Sequence, residues 1–106
     1  MEPKKYFSKG DLVELRPQGS VESAKALKLL LGFRSFRDFE SYVIAPMSFG
    51  LSRRVSFKLL EERNLAVVLE SQRSCYIDGR YLTTVKVLYK DTPAWVMVQY
   101  VRKVIM

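Results

Sequence analysis

Covalent or metal chemistry would have to be done here with very few side chains: one cysteine, Cys75, no histidine, and eleven Asp and Glu spread along 106 residues. Without an imidazole, neither a Ser–His–acid triad nor a Cys–His pair can be assembled, and Cys75 lacks the usual base that would hold it as a thiolate. It reads as a filler on a strand. One sulfur and no imidazole cannot build a tetrahedral zinc site, and the carboxylates do not cluster as they do in calcium loops. Glu61 and Glu62 are adjacent in a polar segment and read as surface, and no glycine-rich phosphate loop occurs. The expectation is a non-enzymatic protein with no catalytic residue, no cofactor and no metal.

Non-covalent recognition has more to work with. Eighteen Lys and Arg against eleven Asp and Glu leave a net charge of +7, which attracts polyanions and keeps the chain soluble. Residues 17–64 hold the candidate polyanion contacts: Lys25, Lys28, Arg34, Arg37, Arg53, Arg54 and Lys58. Guanidinium forks suit phosphates, and the phenylalanines interleaved with them would stack on bases if exposed. The competing reading is that Phe at helical spacing beside Leu is core and the charges are a solvated rim. A second candidate surface is apolar: Phe33, Phe36, Phe39, Tyr42, Met47, Phe49 and Leu51 are more bulk than one small domain easily covers, and such excess marks a partner surface. Its alternative is a second, smaller core between helices and the rest of the domain.

The elements that must position these residues can be read from periodicity. Gly10-Asp11 suits a turn into a short strand that ends by Pro17. Ser20 is a candidate N-cap for an amphipathic helix over residues 21–31, with Gly32 ending it. Ser35-Phe36-Arg37-Asp38 has capping-box spacing, which predicts a second helix through Phe36, Phe39, Glu40 and Val43 until Pro46. Residues 47–54 read as a loop, and residues 55–63 fit either a helical turn or an extended segment.

From Leu65 the period becomes two. Leu65, Val67 and Leu69 alternate, as do Thr83, Val85, Val87 and Tyr89, and Asp78-Gly79 between them signals a tight hairpin. A strict two-residue turn would set Val85 and Val87 opposite Gln72 and Glu70, so a bulge or wider loop within residues 72–76 is expected to restore a shared apolar face. Asp91-Thr92-Pro93 predicts the next turn, followed by a strand at Trp95–Val98, a brief helical turn at Gln99–Val101 and a last strand at Arg102–Ile105.

The segments "KGDLVEL", "AVVLES", "TTVKVLY" and "AWVMVQYVRKVI" resemble those of small SH3-like β-barrel proteins of tailed bacteriophages, notably phages of marine cyanobacteria, and the opening pattern is shared with KOW and Tudor-type barrels. The resemblance covers residues 9–16 and 64–105. It implies a mainly β, α+β domain: a five-strand barrel with strand 1 at about 9–16, an insertion of one to three short helices at about 17–64 between strands 1 and 2, and the remaining strands at about 65–105. It further implies a protein that works by contact with other protein subunits, within a virion or its assembly, or by self-association. Barrels of this kind also bind peptides in aromatic grooves, for which Tyr89 and Trp95 are candidates, although alternation turns Tyr89 inward.

The longest purely apolar runs, Leu65 to Leu69 and Ala94 to Val98, are far short of the roughly 20 residues that span a bilayer, and the start MEPKKYFSKGD lacks an apolar signal region. No membrane partner and no secretion are expected. Synthesis in a host cytoplasm and residence in a virion follow if the resemblance holds, with nucleic acid as the alternative partner.

Overall fold

A computed structural model describes residues 4–18, 28–48 and 53–105. Among the described residues the chain is mainly β with one α-helix. Seven antiparallel strands, β1 (Leu12–Leu15), β2 (Leu29–Phe33), β3 (Arg54–Lys58), β4 (Leu65–Ile77), β5 (Arg80–Tyr89), β6 (Thr92–Met97) and β7 (Val101–Lys103), form one sheet in the order β3-β2-β6-β5-β4-β1-β7. Helix α1 (Phe36–Ile44) lies between β2 and β3, and 3-10 turns occupy Pro46–Ser48 and Val98–Tyr100.

The β4–β5 hairpin turns at Asp78 and Gly79, both at positive φ (51° and 79°), the mirror-image turn whose twist matches that of the flanking strands. The β5–β6 connection uses the same device at Lys90 and Asp91, one residue earlier than Asp91-Thr92-Pro93 suggested. Pro93 falls inside β6, opposite Leu88, and β2 pairs with β6 only at Phe33↔Trp95. The proline therefore costs no ladder bond toward β2.

The expected bulge exists, but it is double and begins upstream: the register of β4 against β5 slips between Val68 and Glu70 and again between Glu70 and Arg73. The face is also corrected. Ala66 and Val68 point inward, whereas Leu65 and Val67, expected inward, are 42% and 40% exposed. Pairing decides this, because Val13 is fully buried and sits opposite Ala66.

The insertion expected to be helical holds two strands, β2 and β3, besides α1. Leu29-Leu30-Leu31, placed by periodicity at the end of a helix, begins β2; residues 21–27 of that helix lie outside the described residues. Two tertiary contacts fix the strand. Leu30 is fully buried in the core, and Gly32 lies so close to β6 that a Cβ there would stand 2.9 Å from the Ala94 Cβ. Of the undecided residues 55–63, those through Lys58 are extended in β3, with Phe57 turned inward, and Arg54, expected in the loop, begins that strand.

All seven strands contribute to one core, among them Val13, Leu30, Phe57, Val68, Val85, Val96 and Val101. The sheet thus wraps around its contents. Among the described residues its hydrogen-bonded ladder stays open, with β3 and β7 as edges, and does not form the closed cylinder expected from the sequence. Two buried amides tie down segments beside this core. Gln72, at the second slip of β4, accepts from the N–H groups of Tyr6 (2.6 Å) and Phe7 (3.1 Å) and donates to the Lys4 carbonyl (3.2 Å), which seats Phe7 in the core. Asn64 accepts from the Tyr89 hydroxyl (2.9 Å) and the Glu61 N–H (3.1 Å). Each satisfies groups that burial would otherwise strand.

Candidate interaction surfaces

Helix α1 forms where the capping spacing predicts it. Ser35 is the N-cap, its hydroxyl accepting from the Asp38 N–H at 3.1 Å, and Pro46 follows the end. Its apolar stripe lies on the outer face of the sheet and builds a second core of Phe33, Phe36, Phe39, Cys75 and Trp95. Phe33 packs edge-on to Phe39 (5.4 Å) and Phe36 edge-on to Trp95 (5.7 Å).

This corrects the apolar partner surface expected from the sequence. Phe33, Phe36 and Phe39 are 2%, 7% and 1% exposed, and Tyr42 is partly buried against the same cluster, so the small second core is what these residues make. Met47 is exposed on the 3-10 turn beyond α1, and Phe49 and Leu51 lie outside the described residues. Tyr89 and Trp95 are both 3% exposed and belong to different cores, so they do not line a shared groove.

The basic candidates separate into two groups. Lys28 and Lys58 are exposed at one end of the β2–β3 pair; Arg34, Arg53 and Arg54 are at the other, beside Arg37 in the first turn of α1, and Lys25 lies outside the described residues. Arg53 is committed to Asp38, with Nε and Nη2 at 3.0 and 2.7 Å from one carboxylate oxygen. The Arg54 guanidinium lies 5.5 Å from the Tyr42 ring. Arg73, which the sequence reading passed over, stands 4.3 Å above Phe36 and 5.9 Å from Trp95. The Arg54 and Arg73 guanidiniums thus lie against aromatic rings of the second core and its border. Cys75 sits inside it, and burial, aided by the Glu40 carboxylate, pushes its thiol above the ordinary value, the opposite of an activated nucleophile. Among the described residues no group of three or more Cys, Asp or Glu is placed to hold a metal ion.

A surface that the sequence reading missed lies on the outer face of β1, β4 and β7. Two rows of side chains cross it. Val67 pairs with Leu12, and the Val104 N–H donates to the Leu12 carbonyl (3.0 Å), giving an apolar row Val67, Leu12, Val104. The next row is Leu65, Glu14, Arg102. Leu12, Leu65, Val104 and Ile105 form the apolar lining of a groove of about 450 Å³, and Ile105 is 90% exposed. Glu14 accepts from Arg63 (3.2 Å) and has Arg16 at 3.9 Å; Lys103 is 3.6 Å from Asp11 and 4.3 Å from the Tyr6 ring. Two carboxylates thus face Arg16, Arg63, Arg102 and Lys103. The sequence did carry a signal for this surface: Leu65, Ala66, Val67 and Val68 are apolar on both faces, and a sheet strand with two apolar faces needs cover on each.

No family model matches the chain, and comparison with curated proteins and with solved structures returned no match. Among the described residues no helix is long and apolar enough to cross a membrane.

Proposed function

We propose that this protein is a non-enzymatic interaction subunit, built on an SH3-like barrel and acting in a tailed-phage particle or its assembly through contacts with other proteins. The barrel reading is supported by the consecutive order β6-β5-β4-β1-β7, in which the first strand of the chain pairs with the last, and by the 3-10 turn between β6 and β7. The hairpin β2–β3 and helix α1 are then an insertion that extends the sheet past β6 and covers part of its outer face.

The observation that carries the contact function is the apolar surface of exposed Leu65, Val67 and Ile105 beside half-buried Leu12, over which no described element packs, whereas α1 covers the other apolar part of the outer face. A photoreactive side chain placed at Val67 in producing cells should give discrete protein adducts that include virion proteins, while the same group at exposed Met47 gives none. Protein adducts missing at Val67, together with nucleic-acid adducts from Arg34 or Arg37, would overturn the reading in favour of a nucleic-acid-binding module.

A further inference from the structure

The geometry points to strand addition at β7: an extended, acidic segment of another protein joins this edge as an eighth strand. This deepens the contact reading above and rests on it. In β7 the backbone groups alternate in direction. Val104 N–H bonds to Leu12 and Tyr100 C=O accepts from Arg16, so the even-numbered residues face β1. The Val101 carbonyl, both groups of Lys103 and the Ile105 N–H therefore face away from the sheet, and β7 is its terminal strand among the described residues. The Val101 N–H is used internally, by the Val98 carbonyl.

Side chains specify what would pair there. A new strand prolongs the two outer-face rows, so its residue beside Val104 continues the apolar row Val67, Leu12, Val104, and the residue two positions away, beside Arg102, meets a cation. The intervening residue meets Lys103. Read along an antiparallel partner, the matching block is apolar, acid, acid. Charge agrees over a wider area: Lys103 lies over Tyr6 in the arm that also carries Lys4, Lys5 and Lys9, and complementary charge steers such encounters. A second copy pairing edge to edge would bring Lys103 of both chains together. A nucleic acid would leave the Leu12, Val104 and Ile105 side chains unused.

The probe is a fluorescent peptide of about eight residues, a length typical of strands, carrying the block Val-Glu-Glu in a threonine background. Its binding is compared with a Val-Lys-Lys version, a scrambled version and generic DNA. The acidic block should bind at least about tenfold more tightly than the other peptides, and DNA should not displace it. Lys103→Ala keeps the edge N–H and should weaken binding by about threefold; Lys103→Pro removes the N–H as well and should weaken it by more than about tenfold. If Lys103→Pro does not fold, amide exchange in the native protein decides, since Lys103 and Ile105 amides should slow in the complex. Equal binding of the three peptides, displacement by DNA, or unchanged exchange at Lys103 overturns strand addition. Protein adducts at Val67 alongside any of those results would leave the contact reading standing without it.

Discussion

The outer face of the sheet is apolar in two places, and the chain treats them differently. Over β2 and β6 it supplies a capped helix and a set of guanidiniums, and Phe33 and Trp95 are buried; over β1, β4 and β7 none of the described elements packs, and Leu65 and Val67 stay exposed. Burial of apolar area contributes roughly 25 cal/mol per Å², so an uncovered apolar face is stabilisation left for a partner to provide. The contrast teaches which apolar residues hold the molecule together and which remain available.

The largest test of that contrast compares one residue from each face. Phe39→Ala should cost about 3–5 kcal/mol by opening the second core, whereas Val67→Ala should stay within about 0.5 kcal/mol in chemical denaturation of the free protein. A large loss at Val67 would mean that this face is internally covered after all. Next comes Gly32→Ala, which sets a Cβ against Ala94 where β2 joins β6 and should cost about 1–3 kcal/mol; no loss would show that the hairpin is only loosely attached. Ser35→Ala removes the helix cap and should cost about 1 kcal/mol, read as lower stability and faster amide exchange at Asp38. The smallest effect belongs to Glu61 and Lys90, paired at 2.9 Å on the surface.

The Lys90 hydrogen bond, and then its charge, hold the Glu61 carboxyl below its ordinary 4.5. A carboxyl lowered by folding adds stability that is present above the unfolded value and is lost as pH falls through the folded one. Lys90, raised chiefly by the same hydrogen bond, adds stability that is lost as pH rises through its folded value. Both side chains are more than half exposed, so Glu61→Gln should leave the acid-unfolding midpoint within experimental scatter. A clear shift would mark this pair, unlike the other surface pairs, as structural.

Much of the fold was legible in local chemistry. Asp78-Gly79, the Ser35 cap, the slip within β4 and the turn between the last two strands each depend on residues close together in the chain. The candidate surfaces were not legible in the same way. Phe33, Phe36 and Phe39 have the composition of a partner surface and of a core, and only the approach of β6 and β4 beneath α1 makes them core. Leu65 and Val67 were expected inside because alternation shows that a strand has two faces without saying which one is buried.

Composition and local pattern thus settled the tight central hairpin, the helix capped by Ser35 and a basic charge, because these follow from backbone preferences and side-chain type over a few neighbours. Long-range pairing settled that Leu29–Phe33 is a strand, that Ala66 faces inward beneath Val13, and that β7 is left as an edge. Those outcomes depend on which strands meet, and the energy that selects among them is gained in contacts between residues far apart in the chain.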